Sequence, residues 1–127
     1  MSKLAKKVAL VTGGSRGIGA AIAKRLAAEG ASVAITYSKG AAAASAVVKA
    51  IEADGGKALA IQADSVDAEA IKGAVGKAVA AFGRLDVLVN NAGTAIPKKF
   101  EETSLEEFDH MIDLNFRGVL IATQAAL

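Results

Sequence analysis

Apolar and polar positions alternate in blocks along this chain. Four short apolar runs rich in β-branched residues, Val8 to Thr12, Ser32 to Thr36, Ala58 to Ile61 and Leu85 to Asn90, each predict a strand. Val8-Ala9-Leu10-Val11 and Val87-Leu88-Val89 are apolar at every position, the pattern of strands covered on both faces. Longer stretches of helical period separate them. The first spans about Arg16 to Glu29, places Ile18, Ile22 and Leu26 on one predicted face, and stops at Gly30. The second covers roughly Ala41 to Asp54 with Val47, Val48 and Ile51, and ends at Gly55-Gly56. The third starts near Asp67 as N-cap, carries Ile71, Val75 and Val79, and closes at Gly83. The fourth opens on Ser104-Leu105-Glu106-Glu107, where the Ser hydroxyl and the Glu107 carboxylate each accept from the other's backbone N–H, and is expected to run to the last residue.

Strands alternating with helices of this length make βαβ units, so the expected fold class is α/β, a parallel sheet with right-handed crossovers. The similar spacing of the units belongs to that architecture and not to a solenoid repeat, because no motif residues recur from unit to unit. Pro97, the only proline, falls in the longest connection, from Gly93 to Thr103. No linker divides the chain, so residues 1–127 are expected to form a single domain.

Composition narrows the chemistry. With 127 residues the chain can bury a substantial core without a metal or disulfide staple. It has no cysteine, which excludes Cys-ligated zinc, iron–sulfur clusters and thiol catalysis. The net charge of +2 comes from interspersed residues of both signs. Lys3, Lys6 and Lys7 are the only basic concentration and read as a solvated terminus, so no nucleic-acid partner is expected. No apolar run reaches the roughly 20 residues of a bilayer span, and Met1 to Leu10 is too short and charged for a signal peptide. The expectation is a cytoplasmic protein with no membrane partner.

Gly13, Gly17 and Gly19 stand between the first strand and the first helix in the spacing G-x-x-x-G-x-G. A glycine in such a turn permits tight reversal, close approach of backbone to a pyrophosphate, and close helix–strand packing, while the helix start offers N–H donors and a positive dipole. On spacing alone the stretch reads as a phosphate cradle or as a plain turn. It is not a Walker loop, since no Gly-Lys-Ser/Thr occurs.

Thr12-Gly13-Gly14-Ser15-Arg16-Gly17-Ile18-Gly19 resembles the cofactor signature T-G-x-x-x-G-x-G of the short-chain dehydrogenase/reductase family. Asn90-Asn91-Ala92-Gly93, at the end of the fourth predicted strand, matches the family's N-N-A-G. Asp64 resembles the family's acidic residue beside the adenine ring, with Ser65 where Val is common. Asn115, in Asp113-Leu114-Asn115-Phe116, matches the helix Asn of the catalytic tetrad. The likeness extends from Val8 to about Ala122 and is closest to the 3-oxoacyl-carrier-protein reductase branch. It implies a Rossmann-like half-fold, four parallel strands in the order 3-2-1-4 with helices on both faces. It also implies a cofactor site made of Gly13, Ser15, Arg16, Gly17, Ile18, Gly19, Asp64, Ser65, Asn91, Ala92 and Gly93.

The second strand ends Thr36-Tyr37-Ser38-Lys39-Gly40. NAD sites usually place a carboxylate there for the ribose 2′-hydroxyl, and a carboxylate would repel a 2′-phosphate. Ser38 and the backbone can donate hydrogen bonds, Lys39 supplies charge, Arg16 can either stack on adenine or reach the phosphate, and Tyr37 lies in the same segment, so NADP(H) is the expected cofactor. A polar loop without a ligand is the alternative.

The resembled family reduces its substrate with a Tyr-x-x-x-Lys pair and a Ser on a fifth strand. Here the only tyrosine, Tyr37, is followed four residues on by Ala41, and no Ser-bearing fifth strand is predicted. The chain is therefore expected to keep only the ADP-ribose side of an NADP site, with Asn115 a remnant of the tetrad, and to lack catalysis on its own. His110 reads as a surface helix residue, and Glu101, Glu102, Glu106 and Glu107 as acids favouring a helix start. No metal site is expected. The fourth strand would be a sheet edge, and the last helix, with Phe108, Met111, Ile112, Phe116, Val119 and Leu120, would lack packing partners. A homo-oligomer closed through these surfaces is expected. Two other readings stay open: an engineered or self-associating structural fragment that binds no cofactor, and a reductase active only with a complementary chain.

Overall fold

The computed structural model describes residues 3–92 and 100–127. Gly93 and Pro97, singled out in the sequence, lie outside the described residues. Four parallel strands, β1 (Val8–Val11), β2 (Ser32–Tyr37), β3 (Lys57–Gln62) and β4 (Val87–Val89), form one sheet in the order β3-β2-β1-β4. This is the order that the family resemblance implies. The register sets Val11 beside Ile35 and Val89, and Tyr37 beside Gln62. All four carboxyl ends therefore finish along one rim of the sheet.

Side chains alternate across a strand, and the sheet supplies two core layers. Val11, Val33 and Ile35 enter the layer under α1 (Gly17–Ala28) and α2 (Ala41–Ala53), where they meet Ala23, Ala44, Val47 and Ile51. Leu10, Ala34 and Ile61 enter the opposite layer, with Ile71, Ala74, Val75 and Ala78 of α3 (Ala68–Phe82) and Ala122 of α5 (Gly118–Ala126). The continuously apolar β1 is buried along its whole length, as its composition requires.

The predicted stripe Ile18, Ile22 and Leu26 is not the face that α1 turns to the sheet. Gly19, Ala20 and Ala23 are buried there, Ile22 and Leu26 pack at the flank, and Ile18 is 75% exposed. In α3 the small Ala74 and Ala78 are buried with Ile71 and Val75, whereas Val79 lies outward. The physical reason is volume. Val, Ile and Leu of the strands already fill the space above the sheet, and at close-packed density the helices fit by contributing small side chains.

Helix ends follow their sequence signals. The Asp67 carboxylate accepts the N–H groups of Glu69 and Ala70 at 3.1 and 3.2 Å, and Gly83, at φ +86, closes α3. Ser104 and Glu107 form the reciprocal cap of α4 (Leu105–Ile112) at 3.0 and 3.1 Å. The expected unbroken helix from there to the end is instead divided. A wide π turn over Asp113–Arg117 separates α4 from α5, with the Gly118 N–H bonded to the Asp113 carbonyl five residues back. Gly118 is buried, and a Cβ on it would stand 2.7 Å from the Ser65 carbonyl oxygen. Only a glycine lets α5 sit this close to the β3–α3 connection. No helix among the described residues is long and apolar enough to cross a membrane.

Candidate functional site

The turn from β1 into α1 is held by three polar side chains from three strand ends. The Thr12 hydroxyl is buried and fully used: it donates to the Val89 carbonyl at 3.4 Å and accepts from the Asn91 and Ala92 N–H groups, both at 3.1 Å. One donor and two acceptor positions are all a hydroxyl has. From the other side, Thr36 of β2 is wholly buried and its Oγ1 accepts the Gly13 N–H at 3.1 Å, while its carbonyl accepts the Gly14 N–H at 3.1 Å. The Asn91 Nδ2 then donates to the Gly13 carbonyl at 3.0 Å. Asn-Asn-Ala thus braces the glycine turn itself, and Asn90 ties the same strand end to α5 through Thr123 Oγ1 at 3.2 Å.

The glycines act in two ways. At Gly19 a Cβ would collide with Asn91 Nδ2 and the Gly13 carbonyl, so the bare Cα is what admits the Asn91 brace. Gly17 is different: it is exposed at φ +58, and a Cβ there would meet nothing within 4 Å. Room is therefore open above the backbone at the start of α1. No side chain caps that end and no acid lies in its first turn. A helix start with unclaimed N–H groups, a positive dipole and clear space fits a phosphate.

The other strand ends gather along the same rim. Tyr37 is half-buried against the α1–α2 layer, followed by exposed Ser38, Lys39 and Gly40. Gln62 Nε2 donates to the Ser38 carbonyl at 3.3 Å and holds this loop to β3. Arg16, the exposed N-cap position of α1, reaches across to it: a Cβ on Gly40 would stand 2.6 Å from Arg16 Nη2. Asp64 is exposed just past β3, its carboxylate accepting the Val66 N–H at 3.1 Å, with Ser65 half-buried beside Gly118. Ser15 and Ala92 are half-buried in the two turns, and Ile18 lies exposed on the first turn of α1. Gly93 is outside the described residues.

Asn115 occupies the π turn, three residues before Gly118, and is exposed, as is His110 of α4. Among the described residues no three His, Asp or Glu side chains group as metal ligands. A hollow of about 500 Å³ lined by Lys6, Lys24, Ile51 and Lys57 opens at the opposite, amino-terminal rim and belongs to no part of this arrangement. Four contributors escape sequence reasoning. Gly118 and Gly40 carry a weak signal, as glycines within or beside a helical pattern, and Gly14 only its place in the motif. Thr36 carries none, because its partner is set by sheet register.

The sequence model of the family described as short chain dehydrogenase matches residues 7–127, nearly the whole chain. This chain belongs to that family. As a short-chain dehydrogenase it is 56% identical over 126 residues to an uncharacterized oxidoreductase of Methylorubrum extorquens, covering 99% of this chain and 51% of that one. It is 44% identical over 125 residues to a 3-oxoacyl-acyl-carrier-protein reductase of Synechocystis sp., covering 98% and 51%. A solved short chain dehydrogenase of Burkholderia cenocepacia, in complex with NADP, superposes with a TM-score of 0.95 at 56% identity, covering 98% and 51%. The chain spans about half the length of the curated relatives it matches, and corresponds to the N-terminal half of a short-chain dehydrogenase.

Proposed function

We propose that this chain is the NADP(H)-binding half of a reductase of 3-oxoacyl or other ketone substrates, and that by itself it holds the ADP-ribose side of the cofactor without turnover. One observation carries the reading: the open, uncapped start of α1 above a turn locked by Thr12, Thr36 and Asn91. The pyrophosphate is assigned to the backbone of Gly13, Ser15, Gly17, Ile18 and Gly19, where the helix dipole and N–H groups favour negative charge. Asp64 and Ser65 are assigned to the adenine, Asn91, Ala92 and Gly93 to the cleft wall, and Arg16, Tyr37, Ser38 and Lys39 to the 2′-phosphate. The absence of a carboxylate at the end of β2 and the nearness of Arg16 to that loop support NADP over NAD. The Burkholderia relative solved with NADP points the same way.

When bound, NADPH supplies a hydride. This chain's residues bind and orient it, but the sequence offers no Tyr-x-x-x-Lys to deliver the matching proton, Tyr37 being followed by Ala41, and Asn115 stands as a tetrad remnant. Calorimetric titration should show saturable NADP binding at micromolar to low-millimolar affinity, tighter than NAD. No binding at millimolar NADP, or equal affinity for NAD, would overturn the assignment. NADPH oxidation on an acetoacetyl thioester should be absent for the chain alone; turnover would refute the non-catalytic half of the proposal.

A second reading, self-association, is favoured by what β4 and α5 leave open. Among the described residues β4 pairs with β1 on one side only. Phe116 and Leu120 are 71% and 57% exposed. We propose a second copy of the chain as the occupant of these surfaces.

A further inference from the structure

The hollow of about 500 Å³ at the amino-terminal rim lies between the ends of α1 and α2 and the starts of β2 and β3, at the opposite end of the strands from the glycine turn. Its floor is small and apolar, with Ala27, Ala28 and Ala50, and its walls carry Lys6, Lys24 and Lys57 against one acid, Asp54. The three cations come from separate segments: the stretch before β1, the body of α1 and the first position of β3. Among the described residues none of them makes an ion pair, and neither does Asp54. The lining therefore holds an excess of positive charge with no protein partner.

The helix ends do not account for it. A cation near a helix C-terminus ordinarily serves free carbonyls. Here the Leu26 and Ala27 carbonyls accept the Ala31 and Gly30 N–H groups at 3.1 and 3.0 Å, and those of Ile51 and Glu52 accept Gly56 and Gly55 at 2.9 and 3.0 Å. Both helices are closed by their own backbone. The stretch carrying Lys6 is also fixed, since the Leu4 N–H bonds the Glu29 carbonyl at 2.8 Å and the Lys7 N–H bonds the Leu4 carbonyl at 3.0 Å. Between them Lys6 stands at φ +67, the only non-glycine among the described residues with a positive φ. Glycine or asparagine enters that region with less strain, so local conformation does not call for a lysine. What the lysine adds is an ammonium group at the hollow.

We infer that this hollow binds a small organic phosphate, its dianionic head held by Lys6, Lys24 and Lys57 and its apolar body laid on Ala27, Ala28 and Ala50. Ammonium groups are point charges with three donors on long stems, and several can converge on one phosphate without a fixed fork. Asp54 opposes the anion, which gives the test a sign to read. The site is independent of the cofactor assignment, because the strands run between the two rims.

The test is a titration of the full chain with phenyl phosphate in low salt at about pH 8, where the phosphate is a dianion, followed by amide resonances. The Ser32, Gly55 and Gly56 amides should shift together and saturate with a Kd of about 1–10 mM. Lys6→Gln and Lys57→Gln should each weaken binding by about threefold and Asp54→Asn should strengthen it by about twofold, as befits exposed charges, with unchanged melting temperatures. Benzyl alcohol, which keeps the ring and lacks the charge, should leave those amides unmoved, and inorganic phosphate should bind more weakly than phenyl phosphate. Each of four results would overturn the site: no saturation, shifts confined to the Gly13–Gly19 turn, an equal response to benzyl alcohol, or an affinity no better than that of inorganic phosphate. Indifference to both lysine variants would do the same. Should a variant fail to fold, salt dependence in the parent decides. Raising salt from about 20 to about 200 mM should weaken binding severalfold, and an affinity that holds or rises would sink the idea.

Discussion

Thr36 shows how much a single hydroxyl can matter when it is wholly buried and faces a backbone donor. Its oxygen takes the Gly13 N–H, and no other acceptor for that group appears among the described residues. Thr36→Val keeps the shape and removes the acceptor. Leaving a partly buried donor unpaired costs about 1–3 kcal/mol, so the denaturant midpoint should fall by that equivalent with an unchanged slope. On the proposed cofactor assignment, NADP affinity should weaken with it, as the turn assigned to the pyrophosphate loosens. An unaltered midpoint would mean that the turn is held without Thr36. At this scale the motif glycines were legible in the sequence because their spacing is local. Thr36 was not, since it acts on a neighbour that only sheet pairing supplies.

At the scale of elements, helix existence and ends were written in local signals: Asp67, Gly83, and the Ser104–Glu107 pair all act where expected. The faces of α2 and most of α3 were legible too, through Val47, Ile51, Ile71 and Val75, but that of α1 was not, because periodicity marks apolar stripes while packing selects by volume, and Ala20 and Ala23 outcompete Ile18 for the sheet. Two exposed glycines in α3 carry the opposite lesson. A Cβ at Gly73 or Gly76 would meet nothing within 4 Å. Replacing either with Ala should raise stability by about 0.5–1 kcal/mol in chemical denaturation, through helix propensity and unfolded-state entropy. A loss would show that these positions serve a contact.

Asp86 joins the start of β4 to the start of β1, its carboxylate accepting the Val8 N–H at 2.9 Å and its own N–H bonding the Val8 carbonyl at 2.9 Å. The Arg84 guanidinium, at 2.6 Å, holds this carboxyl below the usual carboxylate range, with the Val8 N–H adding to the effect. The folded-state pKa lies below the unfolded one. The stabilisation is therefore complete above about pH 4 and vanishes as pH falls through the folded value. Asp86→Asn should be less stable than the parent at about pH 7, and the two denaturation midpoints should converge in strong acid. A deficit that persists unchanged there would assign the effect to packing.

For the whole molecule, the pairing of β4 on one side only among the described residues bears on the proposed self-association. Light scattering after size exclusion should report a dimer or larger species at micromolar concentration, and Phe116→Glu with Leu120→Glu should shift it toward monomer without lowering the melting temperature. A well-behaved parent monomer would count against self-association. The exposed Phe116 and Leu120, and a β4 paired on one side only among the described residues, are the features on which the proposed second copy rests.

By itself the sequence determined the element types, most of their ends, the α/β class, and the glycine and Asn-Asn-Ala motifs of one family, because each depends on residues close together in the chain. Tertiary structure alone decided the rest. It turned α1 onto its alanine face, opened a π turn where Gly118 presses on Ser65, and set Thr36 and Asn91 as the braces of the glycine turn. It also laid Arg16 across Gly40. Each of those features joins residues distant in sequence that the parallel sheet and the helices packed on both its faces make neighbours, and register is settled by the packing of both faces at once.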